Sequence, residues 1–112
     1  MNNFNQLAEF QKELKKLSQK YPSLYEDLKR IEEIIIKYPT GIGKNFVIIH
    51  HSEIVDIIKA RLACRSLKDR SVRLIYAYHK NKIEFIHIEL YFKGDKENEN
   101  RERIIQYLRG VE

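Results

Sequence analysis

The chain of 112 residues contains one cysteine, no tryptophan, two prolines and four glycines. A single cysteine excludes an internal disulfide framework and any cysteine-rich zinc module. Scarce glycine and proline, beside 43% hydrophobic residues, exclude the collagen-like, low-complexity and disordered classes. No apolar run approaches the roughly 20 residues needed to span a bilayer. The start, Met1-Asn2-Asn3-Phe4, has neither a basic nor an apolar leader region, so no signal peptide is expected. The expectation is one soluble, basic domain over residues 1–112, in the cytoplasm and without a membrane partner. Cys64, inside an apolar run, is expected to be a buried thiol.

What the chain does have is positive charge, unevenly placed. The formal net charge is +5, from 21 Lys and Arg against 16 Asp and Glu. Between Lys59 and Lys82 there are eight Lys and Arg and a single acid, Asp69. That stretch carries +7, and the remainder is slightly acidic. Such a concentration points to a phosphate-rich or acidic partner.

Periodicity divides the chain into helices, then strands. Leu7, Phe10, Leu14, Leu17 and Tyr21 line one helix face. Residues 1–6 fit either an extension of that helix from an Asn3 cap or a short strand. Pro22 breaks it, and Ser23 with Glu26 has the spacing of a capping box. A second helix then runs to about Lys37, with Leu24, Leu28, Ile31 and Ile35 on one face, and Pro39 and Gly41 stop it. Ile54–Cys64, Val72–His79 and Ile83–Lys93 read as strands. The first of these also fits a helical period, but its Ile and Val content favours a strand. Lys80-Asn81-Lys82 predicts a tight hairpin turn with Asn81 at positive φ. After a polar stretch from Asp95 to Asn100, a short helix is expected from about Arg101, with Ile104, Ile105 and Leu108 as its apolar face and Gly110 suited to its end.

Strand alternation then sorts side chains onto two faces. Ile58, Ala60, Leu62 and Cys64 join Val72, Leu74, Tyr76 and Tyr78, and Ile86, Ile88, Leu90 and Phe92, on a face expected to cover the helices. The other face gathers Lys59, Arg61, Arg65, Arg73, His87, Glu89, Tyr91 and Lys93. The predicted architecture is α+β, with an N-terminal antiparallel helical hairpin on one face of a small antiparallel sheet and a short C-terminal helix.

The order of elements and three stretches resemble the RelE/ParE superfamily of bacterial toxin–antitoxin systems. The first stretch is Phe10–Leu17 with Tyr21–Leu24 and the Pro39-Thr-Gly41 exit. The second is Lys59–Ala63 followed by Ser71–Tyr76. The third is Ile88–Glu97. In RelE-like members, which cut mRNA in the ribosomal A site, basic residues lie on the first core strand, an Arg opens the next, and a basic or aromatic group comes late in the last. ParE-like members, which poison DNA gyrase, tend to lack part of that set. Here the matching positions are Lys59 and Arg61, then Arg73, then Tyr91 and Lys93, so the resemblance implies the RelE branch. It also implies a cognate antitoxin as partner and no cofactor. A non-catalytic basic module that binds nucleic acid or a partner protein is the alternative outside the toxins.

The chemistry required of such a site agrees with these residue types. Metal-free RNA cleavage attacks phosphorus with the neighbouring 2′-hydroxyl; it needs a base, cations for the phosphorane and an acid for the leaving oxygen. Arg61 and Arg73 suit a phosphate clamp. Lys59 serves as base only with a lowered pKa, and His87 or Glu89 would do so more easily. Tyr91 suits stacking or phosphate orientation, and Lys93 is the candidate acid. Arg65, Lys68, Arg70, His87 and Glu89 are candidates for holding RNA around them. Two features depart from the family. The first strand looks weak or absent, with Val47–Ile49 the candidate to replace it at the sheet edge. Asn45–Asp56 looks long, and its His50-His51 pair reads as loop rather than metal site. Gly41-Ile-Gly43-Lys44 lacks the spacing of a phosphate loop and reads as a turn.

Overall fold

A computed structural model describes residues 3–68 and 70–112. Met1, Asn2 and Asp69, the one acid of the basic stretch, lie outside the described residues. The elements in order are β1 (Phe4–Gln6), α1 (Ala8–Lys20), α2 (Leu24–Lys37), β2 (Phe46–His51), β3 (Val55–Ala63), a 3-10 turn (Arg65–Leu67), β4 (Ser71–His79), β5 (Glu84–Phe92) and α3 (Arg101–Val111). They form an α+β domain with a five-stranded sheet in the order β1-β5-β4-β3-β2. The sheet is mixed, which corrects the expectation of a fully antiparallel one: β1 runs parallel to β5, and the other neighbours are antiparallel.

Both edges differ from expectation. Residues 4–6, too short to show a period, form a strand rather than a helix extension, and the Phe4 ring stacks on Phe85 at 4.8 Å. Val47–Ile49 therefore replaces nothing; it lies in β2, at the opposite edge. His50 and His51 also belong to β2, not to a loop.

The first core lies between the sheet and α1 and α2. Phe10, Leu14, Leu24, Leu28, Ile31 and Ile35 cluster with Ile58, Ala60, Leu62, Val72, Leu74, Tyr76 and Leu90, and Cys64 is buried among them. Each fully buried aliphatic side chain here contributes about 1.5–3 kcal/mol. Tyr76 donates its hydroxyl to the Pro39 carbonyl at 2.9 Å, tying the exit of α2 to the core. Gly41 at φ +87° makes that exit possible, because a Cβ there would stand 2.0 Å from the Phe46 ring.

A second core occupies the opposite face. Val55, Ile57, Ile75, Ala77 and Ile88 cluster with Tyr91 and with Ile104 of α3, and Tyr107, Leu108 and Val111 pack against them. The sequence reading gathered the charged residues on this face and placed no helix over it. In the structure α3 packs Ile104, Tyr107, Leu108 and Val111 there while Ile105, expected on the same apolar face, stays exposed, and the charged residues occupy the remainder.

β5 breaks the alternation. Tyr76 faces His87 but Ile75 faces Glu89, so Ile88 is an extra residue in a β-bulge. The bulge inverts the phase of the strand. Phe85 and His87 therefore lie on the same side as Leu90, toward α1 and α2. Ile86 and Ile88 face α3 instead. His87 is stacked between Phe4 and Phe10, with centroids at 5.3 and 5.0 Å, and is fully buried. Its placement on the basic face is thereby overturned.

Two local signals resolve differently as well. Ser23 caps nothing by its side chain; it is helical in φ and ψ, and its hydroxyl donates to Asp27 at 2.6 Å. In the β4–β5 turn the positive φ falls on Ile83 (+53°), not on Asn81.

Candidate anion-binding and catalytic cleft

The ladder of β3, β4 and β5 aligns the candidate residues in rows. Arg61 stands directly opposite Arg73, and Arg73 opposite Tyr91. The next row is Lys59, Ile75 and Glu89. Beside the segment that leads into α3, the first row opens into a cleft of about 280 Å³. Lys59, Arg61, Arg73 and Lys93 line it, with Lys44 and Asn45 before β2, Val47 and Ile49 on it, and Glu99 from the segment before α3. Four of the five expected catalytic residues thus meet in one cleft, and Tyr91 adjoins it beside Arg73.

The electrostatics of the cleft are unbalanced. Arg73 is only 8% exposed, yet it forms no ion pair among the described residues. It donates to the Ser71 hydroxyl. Burial, and then the positive charge of Arg61, push its pKa below the ordinary value. Arg61 and Lys93 also have no ion-pair partner among the described residues, and both are exposed. A buried guanidinium facing a second guanidinium is costly unless an anion joins them. A phosphate or a carboxylate presents oxygens that match that fork.

Lys59 is different. Its ammonium donates to Glu99 Oε1 at 2.9 Å. Burial alone would lower its pKa, but the bond to Glu99, the neighbouring Tyr91 hydroxyl and the Glu99 charge outweigh this and raise it. The lowered pKa that a lysine base requires is therefore absent, which corrects that reading. Glu99 is held ionised: burial would raise its pKa, but the Lys59 bond, its own backbone N–H and Arg101 bring it below the ordinary carboxyl value. Tyr91 is buried, and its hydroxyl has no hydrogen-bond partner among the described residues. Burial raises its pKa, only partly offset by the Lys59 ammonium, so the phenol stays protonated at neutral pH.

The five residues expected to hold RNA around this centre do not line the cleft. Arg65 serves α2: its Nε and backbone N–H each donate to Asp27 at 3.1 Å, and its Nη2 donates to Glu26 at 2.7 Å. Lys68 ends the 3-10 turn in the left-handed region at φ 54°. The Arg70 guanidinium sits 5.9 Å over the Phe92 ring. His87 lies within 2.7 Å of Glu32 through Nε2. Glu89 is buried, accepting from the Asn100 backbone N–H at 2.7 Å and pairing with Lys96. Neither His87 nor Glu89 reaches the cleft as a base.

Sequence reasoning missed Glu99 and Lys44. Glu99 sits in the polar stretch that reads as a link, and its one local signal is its place just before Asn100. Asn100 caps α3 by accepting from the Arg103 N–H at 3.0 Å. The two histidines of β2 pair with acids, His50 with Glu112 at 3.2 Å and His51 with Asp56 at 2.6 Å. No helix among the described residues is long and apolar enough to cross a membrane. No protein-family model matches the chain, and no curated protein matches it.

Proposed function

We propose that this protein is a RelE-like toxin of a toxin–antitoxin system, a ribosome-dependent mRNA endonuclease acting in the cytoplasm and neutralised by a cognate antitoxin. The observation that carries the reading is the convergence of Lys59, Arg61, Arg73 and Lys93, with Tyr91 beside them, on the sheet face away from α1 and α2. The strand before α1 brings the order of elements closer to the family pattern than the sequence suggested. α1 and α2, both packed on the other face, fit the helical hairpin of that family.

In this reading the reaction is a metal-free attack of the ribose 2′-hydroxyl on the adjacent phosphorus. Arg73, preset by burial, and Arg61, reaching from the exposed side, bind the two non-bridging oxygens and stabilise the charge that grows on them. Their mutual repulsion is offset by attraction to the phosphate when it arrives, so the anion is bound where the empty site is strained electrostatically. Tyr91 keeps its proton and donates to a phosphate oxygen. Lys93, exposed at the rim, delivers a proton to the departing 5′-oxygen. An antitoxin of this kind covers the cleft with acidic residues.

Induced expression, with Arg73→Ala as control, tests the reading. The expected result is growth arrest with new mRNA ends inside translated codons, both lost in the variant. Arrest with intact mRNA overturns it. Gyrase-trapped DNA breaks would instead favour the ParE-type reading, and salt-dependent RNA binding without cleavage the non-catalytic module.

A further inference from the structure

We propose that Glu99 is the catalytic base of this cleft, accepting the 2′-hydroxyl proton of the RNA. The inference rests on the nuclease reading above and supplies the group that reading lacks.

The placement of Glu99 is built rather than incidental. Of the acidic side chains on this face, Glu89 is sealed at both oxygens, by the Asn100 N–H on one and Lys96 on the other. Those two bonds clamp residues 96 and 100 to β5. Glu99 lies between the clamped positions and turns into the cleft, where its side chain is 10% exposed and bonded to Lys59. The Asn100 cap fixes the following helix at the same point. A carboxylate held from both sides in the cleft that Arg61 and Arg73 also line is preorganised for a substrate whose phosphate those arginines hold.

Lys59 then has a definite part. In the free protein its ammonium keeps Glu99 ionised. An entering phosphate competes for the same ammonium, and Glu99 loses its cation as it gains an anionic neighbour. Its basicity rises when the substrate is in place. The 2′-hydroxyl proton passes to Glu99, and the freed oxygen pair forms the bond to phosphorus. The bond from phosphorus to the 5′-oxygen breaks, and that oxygen takes a proton from the Lys93 ammonium. The products are a 2′,3′-cyclic phosphate and a 5′-hydroxyl end. Water returns the proton from Glu99 to Lys93, so the cycle consumes no other reagent.

The test is single-turnover cleavage of mRNA on programmed ribosomes by the purified protein, with ribosome binding measured in parallel. Glu99→Gln should lower the rate by about 10²–10⁴-fold while leaving affinity equal or higher. Its residual rate should also lose the acid limb of the pH profile, which a merely structural residue would not abolish. Equal cleavage by wild type and Glu99→Gln overturns the proposal and leaves the nuclease reading standing. A wild type that binds ribosomes but cuts nothing overturns both. Should Glu99→Gln melt well below wild type, Glu99→Asp decides: a reduced rate with a displaced acid limb supports the base, and an unaltered rate and profile overturn it.

Discussion

Buried charge on this sheet is met in two opposite ways. Toward α1 and α2, the buried Asp27 carboxylate and the His87 ring have partners within the chain, and so does Glu89 on the other face, paired with Lys96. Asp27 accepts from Ser23 at 2.6 Å and twice from Arg65 at 3.1 Å, and His87 lies 2.7 Å from Glu32. On the other face Arg73 is nearly as buried, but across the ladder it meets Arg61. The first arrangement is explained by the fold it holds together. The second is not, and its lack of a counterion among the described residues is the strongest pointer to a ligand. The contrast shows that burial of charge alone is a poor guide to function; what matters is whether the fold supplies the opposite sign.

The largest test of this contrast is Asp27→Ala. It removes the acceptor that joins α2 to the turn after β3, and should cost about 3 kcal/mol in chemical denaturation while leaving anion affinity intact. Its pH signature has a definite sign. Burial would raise the Asp27 pKa, but the bonds from Ser23 and Arg65 outweigh it, so the native value lies below the ordinary 3.8. The unfolded chain therefore takes up this proton first. The contribution is fully present above the unfolded pKa, about 3.9, and is lost as pH falls through the native one. Asp27→Asn should flatten that part of the acid limb in a series of melts.

Arg73→Met probes the other face. RNA or phosphate affinity should fall about tenfold, roughly 1.4 kcal/mol, while stability stays level or rises because the repulsion with Arg61 is gone. A loss of stability matching that of Asp27→Ala would make Arg73 structural and erase the contrast. The smallest effect belongs to Asn100→Ala. Loss of the α3 cap should cost about 1 kcal/mol and loosen the segment that carries Glu99. The measurement is a denaturation midpoint alongside the cleavage rate, and a drop in rate larger than the drop in stability would sharpen the link between α3 and the cleft.

Much of this arrangement was legible from residues alone. β3 and β4 pair over nine residues each without interruption, so alternation put Lys59, Arg61 and Arg73 on one face correctly. The same rule failed on β5, where one extra residue at Ile88 inverts the phase; His87 moved into the core, and a bulge has no signature in an alternating run of apolar side chains. β1 was ambiguous because three residues cannot display a period. The stripe of α3 was visible, but not the face it would cover. Glu99 was invisible because it has no periodic role and gains its meaning from Lys59, 40 positions away.

The amino-acid sequence by itself determined the helices, the core strands and the row of cations on β3 and β4, since these depend on periods of two and 3.6 residues and on charges counted locally. Tertiary structure alone decided that Arg73 meets Arg61 rather than an acid, that Glu89 clamps the segment before α3, and that Glu99 enters the cleft. Those outcomes depend on register between strands and on contacts across many residues, where one bulge or one buried hydrogen bond redirects a side chain.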